Sequence, residues 1–225
     1  MANTIMNKVT MPLSTLKEIE KKYLDDGQLS FQKIIPMPES LQLTSGGITH
    51  AAIYYALKKK SDSDQRFIIK SLKAIDDFLY GNLWNQIKHY HNESDLPRLE
   101  EKNAEFIPND ELKKLNINNL EELGDAYIDN IKNYGHPTWY DWRYDKWGTK
   151  WDVGDYESHQ NTMVFDTANG CPIPIFEKLS KEFPDDVIKL EYEDLDDSSH
   201  AGEIVFKGGE IVEAYTYEIE EEINI

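Results

Sequence analysis

One cysteine, Cys171, stands in a chain of 225 residues. An internal disulfide is therefore excluded, and so is a zinc site built from cysteines. Beside Pro172, this residue reads as a small packed side chain and not as a catalytic thiol. Long apolar runs are absent too, and no stretch approaches the roughly 20 residues that a membrane-spanning helix needs. The opening residues, MANTIMNKVT, lack the charged start and apolar core of a secretory leader. These absences lead to the expectation of a soluble cytoplasmic protein.

Sequence signatures of known chemistry are missing as well. The chain has no phosphate-binding glycine loop, no HExxH, no GxSxG and no EF-hand pattern. Gly46 and Gly47 precede a helical stretch, but without the rest of a phosphate loop they read as a turn. His89 and His91 lie two apart on an expected helix, so their side chains diverge. His136, His159 and His200 are scattered through expected loops. Asp194, Asp196 and Asp197 resemble a cation cluster but lack the bidentate closing ligand, so they read as a solvated loop. The chain is expected not to be an enzyme, with no catalytic residue, no cofactor and no metal.

Positive charge is the other scarce commodity. Lys and Arg number 24 against 42 Asp and Glu, for a net charge of −18. The excess is concentrated from Glu182 onward, where Lys189 and Lys207 are the only Lys or Arg. Such a field repels nucleic acid and attracts basic surfaces, more weakly as salt rises.

Aromatic side chains are abundant, with 13 Tyr, 8 Phe and 5 Trp. The stretch GHPTWYDWRYDKWGTKWDV, from Gly135 to Val153, holds Trp139, Trp142, Trp147 and Trp151. Pro137 and Gly148 bracket a short helix there. Thr149, Trp151 and Val153 then alternate with Lys150 and Asp152 as a strand would. The four tryptophans read as mostly core.

Alternation and helical spacing divide the rest of the chain. Thr4 to Met11 reads as a strand, Ser14 to Leu24 as a helix with Leu16, Ile19 and Tyr23 inward, and Leu29 to Ile35 as a second strand ended by Pro36. From Ser45 to Tyr134 the pattern is helical: Ile48 to Lys60, Asp64 to Tyr90 and Leu120 to Tyr134. The middle helix has Asp62 or Ser63 as its cap. Its apolar stripe of Phe67, Ile68, Leu72, Ile75, Leu79, Leu83 and Ile87 reads as core. Asn92 to Asn118 reads as a polar connection with a short helix near Glu111. Strand Asn161 to Thr167, helix Pro172 to Phe183 and strand Asp186 to Asp194 follow. Glu203 to Lys207 and Ile211 to Glu218 flank Gly208-Gly209 as a hairpin. The expected fold is α+β: a ferredoxin-like split β-α-β antiparallel sheet over residues 1–44 and 135–225, a helical insertion over 45–134, and a C-terminal β-hairpin.

FQKIIPMPESL, WYDWRYDKWGTKWDV and FDTANGCPIPIFEKLSKEFP, in that order, resemble the YubB ferredoxin-like domain family of phages, plasmids and conjugative elements. The resemblance spans roughly residues 1–40 and 130–210. It implies a fold and a mobile-element setting inside a bacterial cell, and no catalytic residues.

Ferredoxin-like sheets that bind RNA carry basic and aromatic side chains on one face. Here the strands offer Glu191, Glu193, Asp194, Glu210, Glu213 and Glu218, which is the wrong sign for phosphates. Repeated carboxylates of this kind mimic nucleic acid. The expectation is therefore an accessory protein that binds and inhibits a host defence protein, such as a nuclease or a CRISPR effector, through a basic cleft. Trp139 and Arg143 are a rival contact site. The alternative expectation is a nucleic-acid-binding module acting through the helical insertion, for which Lys58, Lys59 and Lys60 are the one hint. Self-association into a homodimer has two candidate surfaces, the long apolar helix and the C-terminal edge strand.

Overall fold

The structure, a computed structural model, describes residues 2–75, 95–197 and 200–217. In chain order the elements are strand β1 (Thr4–Thr10), helix α1 (Leu13–Tyr23), the short strands β2 (Leu24–Asp25) and β3 (Gln28–Leu29), and helix α2 (Phe31–Ile34). A 3-10 turn, Glu39–Leu41, precedes helices α3 (Gly47–Lys58), α4 (Asp62–Ile75), α5 (Asp95–Ala104), α6 (Asp110–Lys114), α7 (Leu120–Tyr134) and α8 (Trp139–Trp147). Strands β4 (Gly154–His159) and β5 (Thr162–Ala168), helix α9 (Ile173–Glu182), and strands β6 (Ile188–Asp194), β7 (Ala201–Lys207) and β8 (Glu210–Tyr217) complete the chain. Two compact units result: Met1–Pro36 with Arg143–Ile225, and Met37–Trp142.

The first unit is built on a six-stranded antiparallel sheet in the order β4-β5-β1-β6-β7-β8. Helix α1 follows β1 and helix α9 joins β5 to β6, so the four strands β4, β5, β1 and β6 form a ferredoxin-like split β-α-β arrangement, extended by the β7-β8 hairpin. Alternation sets the layers. Val9, Met163, Phe165, Leu190, Ile204 and Phe206 lie on the helix side and are buried. Against them pack Leu16 and Ile19 of α1 and Ile175, Phe176 and Leu179 of α9. A file of rings runs through this core from Trp147 to Phe31, Phe165, Phe176 and Phe206, with successive centroids 6.1 to 6.2 Å apart. The Trp147 indole N–H donates to the Ile35 carbonyl at 2.9 Å, so the largest ring is buried with its polar atom satisfied.

Three local expectations are corrected. Leu29–Ile35 is not a strand: β3 stops at Leu29 and α2 follows. A carboxylate far along the chain decides this, because Asp152 accepts the Phe31 N–H at 2.6 Å and the Ser30 hydroxyl at 3.1 Å, capping the helix start. Thr149 to Val153 is not a strand either. Gly148, at φ 80°, ends α8 in the left-handed conformation, and Thr149 then anchors its hydroxyl on the Ala168 carbonyl at 2.9 Å. The ferredoxin-like second strand is instead β4. Lastly, the polar connection after Asn92 contains the helix α5.

In the second unit, α3 is buried on nearly every side from Ala51 to Leu57. It lies so close to α7 that a Cβ on Gly124 would sit 2.1 Å from the Ala52 carbonyl oxygen. Leu123, Tyr127, Ile128 and Ile131 of α7 complete that core. The Asn119 side chain caps α7 by accepting the Glu122 N–H at 2.9 Å. The cap of α4 is Ser61, whose hydroxyl accepts from the Asp64 N–H, in place of Asp62 or Ser63. Of the apolar stripe on α4, Ile68 is buried while Phe67 is 57% exposed; Leu79, Leu83 and Ile87 lie outside the described residues.

Candidate functional site

The sheet face opposite α1 and α9 carries Met6, Lys8 and Thr10 of β1, Lys189, Glu191 and Glu193 of β6, Glu203 and Val205 of β7, and Glu213, Tyr215 and Tyr217 of β8. Strand register puts Lys8, Glu191, Glu203 and Tyr215 in one row across four strands. Lys8 Nζ meets Glu191 at 3.2 Å, and Lys189 Nζ meets Glu191 at 3.7 Å and Glu203 at 2.6 Å. The Tyr217 hydroxyl donates to Glu203 at 3.1 Å and the Tyr215 hydroxyl to Glu213 at 3.3 Å. The Lys189 hydrogen bond holds the Glu203 carboxyl below the usual range, and Glu203 in turn raises Lys189.

Neutralisation here is partial. Glu193 faces Met6 and Ala201, and Glu213 faces Val205, so neither has a lysine directly across. Glu210 stands opposite Lys207 at the hairpin turn. The face is thus a lattice of lysine, glutamate and tyrosine with surplus negative charge along β6 and β8. Its charges and tyrosine hydroxyls are exposed to solvent in a fixed arrangement.

The structure brings Glu191, Glu193, Glu210 and Glu213 onto this face, and Glu218 lies outside the described residues. Asp194 stands apart, pointing to the helix side and buried. Its carboxylate accepts from the Asn3 amide at 3.0 Å and from the Asp196 and Asp197 N–H groups at 2.9 and 3.2 Å. Those bonds, the Asn3 one foremost, hold its carboxyl below the usual range. It fastens the turn after β6. Glu203 was not singled out from the sequence, yet it lies at the centre of the lattice. Counting back from the Gly208-Gly209 turn places Glu203 opposite Ala214; a register shift between Val205 and Phe206 moves it by one residue, opposite Tyr215.

Arg143 is stacked on the Trp147 ring at 4.8 Å and lies 5.9 Å from the Trp151 ring centre. Trp139 belongs to the other unit and meets Tyr140 edge to face at 5.5 Å. Of the tryptophans, Trp142 and Trp147 are buried while Trp151 is 45% exposed. The run Lys58, Lys59, Lys60 is engaged within its own unit: Lys58 lies over the Tyr54 ring, Lys59 over the Tyr55 ring, and Lys60 pairs with Asp125 at 2.7 Å.

Other candidates have structural uses. Burial pushes the Cys171 thiol up, away from a reactive thiolate. A cavity of about 520 Å³ in the helical unit is lined in part by Glu122, Asp125 and Asp129. Each of these acids has a partner: Glu122 accepts the Asn118 N–H at 2.7 Å, and Asp125 and Asp129 pair with Lys60 and Lys132. Among the described residues no three His, Cys, Asp or Glu side chains converge as a metal site, and no helix is long and apolar enough to cross a membrane.

The sheet order and its paired helices define a ferredoxin-like domain. Residues 146–225 match the family model described as the ferredoxin-like domain in Api92-like protein. The crystal structure of a protein api92 from Yersinia pseudotuberculosis is similar at 10% identity and a TM-score of 0.39, covering 98% of this chain and 99% of that one. No curated protein matches the chain.

Proposed function

We propose that the open acidic face of the ferredoxin-like sheet is a protein-binding surface, and that the protein acts as an anti-defence inhibitor of a host protein with a basic cleft. The observation that carries this reading is the placement of Glu191, Glu193, Glu203 and Glu213 together on the face that α1 and α9 leave open. Paired lysines hold part of the lattice in fixed geometry, while Glu193 and Glu213 supply uncompensated charge. Charge complementarity of this kind speeds encounter and excludes wrong partners. Phosphate-bearing nucleic acid is repelled by the same surface. The resemblance to a phage and plasmid family supplies the setting, and a nuclease or other nucleic-acid-handling effector supplies the basic cleft.

The test compares the protein with a double variant, Glu191→Gln with Glu193→Lys, as bait in lysate of a bacterial host. Asp194 is left untouched because it fastens a turn. The native protein should retain a basic protein at low salt and release it at high salt, and the variant should retain none. Equal recovery by both would remove the open face from the reading.

A further inference from the structure

The sheet ends in two edges of different character. At one, β4 reads GDYESH, slips its register against β5 between Gly154 and Glu157, and holds Asp155 at φ 45°. Short, polar, irregular strands are a usual means by which sheet edges avoid pairing with other chains. At the other edge, β8 runs for eight residues, all of them exposed. Ile211, Val212, Tyr215 and Tyr217 expose 42, 53, 53 and 46% of their surface. One side of β8 pairs with β7 from Ala201↔Tyr217 to Lys207↔Glu210, with a single register shift between Val205 and Phe206 that leaves Glu210 and Glu213 on the same face; among the described residues no strand lies along the other side. Backbone N–H and C=O groups on that side are directed outward, ready to pair.

We infer that β8 accepts an extended, lysine- or arginine-rich segment of a partner protein as an added strand. This rests on the basic-partner reading above and adds to the open face a second contact at its edge, for one extended segment of that partner. Charge selects the occupant. β8 carries no Lys or Arg, so a second copy laid on it supplies no cation to Glu210 or Glu213, and an antiparallel register centred on Glu213 sets that residue against its own counterpart, where like charges are destabilising. A segment with a cation at every second position meets Glu210 and Glu213 instead, and its cations lie against the Tyr215 and Tyr217 rings. Main-chain hydrogen bonds supply affinity in this mode, and alternate side chains supply specificity.

The experiment titrates the full chain at low salt with an eight-residue peptide of alternating Lys and Val. A second peptide of the same sequence is N-methylated at every amide along one edge. Strand addition predicts that the first peptide binds and slows hydrogen exchange of β8 amides, and that the N-methylated peptide binds at least about tenfold more weakly. The variant Glu210→Lys with Glu213→Lys should lose the peptide, whereas Glu191→Gln with Glu193→Lys should keep it. Equal binding of both peptides would reduce the contact to charge and overturn strand addition. So would failure of the first peptide to bind, or a concentration-dependent dimer abolished by the β8 variant. Peptide loss in the Glu191/Glu193 variant alone would also overturn it while leaving the open-face reading standing. Lysate capture abolished by the Glu191/Glu193 variant likewise supports the open face whatever the peptides do.

Discussion

The same strands write both faces of the sheet, one residue out of step, and the two faces obey different rules. On the helix side, Val9, Met163, Phe165, Leu190, Ile204 and Phe206 are sealed from water, and the polar Asn7 among them donates to the Ile5 carbonyl at 2.9 Å and to Thr167 at 2.9 Å. On the other side, Lys8, Lys189, Glu191 and Glu203 lie in water and pair with one another. Packing fixes the first face, because a buried charge without a partner is costly. It leaves the second face free, so the composition there answers to solubility or to a partner. A surplus of acid with two tyrosines in a fixed lattice is the feature on which the proposed partner contact rests.

Changes on the helix side should cost the fold the most. Phe165 is fully buried between Phe31 and Phe176 in the file of rings. Phe165→Ala should cost about 3–5 kcal/mol, through lost burial and the cavity left behind, read as a lowered midpoint in urea unfolding. A midpoint within the error of the native protein would mean that the file of rings does not hold the core. Gly202 is a smaller case on the same face. The Tyr192 hydroxyl lies over it, and an added Cβ would sit 2.5 Å from the Tyr215 carbonyl oxygen and 2.6 Å from the Tyr192 hydroxyl. Gly202→Ala should cost about 1–3 kcal/mol by overpacking. An unchanged midpoint would show that the β8 backbone at Tyr215 and the Tyr192 side chain both give way without cost.

The helix side was also the more legible of the two. The clean alternation from Ile188 to Asp194, the helical spacing of Leu16, Ile19 and Tyr23, and the Gly208-Gly209 turn are local patterns, and each names its own element. What stayed hidden was non-local. GDYESH carries no β-branched residue, and it becomes β4 only because β5 pairs with it. LSFQKII has the apolar content of a strand, yet its second half is helix because Asp152, more than a hundred residues on, caps it. On the open face, alternation placed Glu191 and Glu193 together correctly. The pairing of Glu191 with Lys8 depended on the register of β1 against β6, and that of Lys189 with Glu203 on the register of β6 against β7. Asp194 looked like one more acid of the row, and period-two geometry turns it to the other side.

Between the two extremes lies Glu182, at the end of α9. It accepts from Tyr23 at 2.8 Å and pairs with Lys22 at 2.7 Å and Lys178 at 2.9 Å, tying α9 to α1. Partial burial alone would raise its pKa, but the hydrogen bonds from Lys22, Lys178 and Tyr23 outweigh it and bring the carboxyl from 4.5 down to about 2. A depressed carboxylate stabilises the fold above its unfolded pKa, and that contribution is lost as pH falls from about 4.5 through about 2. Its two lysines reach well into solvent, which screens the pairs, so Glu182→Gln should cost no more than about 1 kcal/mol at pH 7. The gap between native protein and variant should close as pH approaches 2. A gap that persists in acid would assign the effect to packing and not to charge.

The open face should tolerate change best. In Glu191→Gln with Glu193→Lys, the first substitution keeps the side chain's size and removes the partner of Lys8, an ion pair whose side chains are 51 and 35% exposed. The second places a cation between Met6 and Ala201, where no charge opposes it. Exposed pairs are each worth about 0–1 kcal/mol, and the added lysine reduces the net negative charge of the chain. The unfolding midpoint should therefore move by less than about 0.5 kcal/mol in free-energy terms. A loss as large as that of Gly202→Ala would show that the lattice is structural. Loss of the basic partner with the fold intact would instead separate the two faces by role, one holding the sheet together and the other engaging what lies outside it.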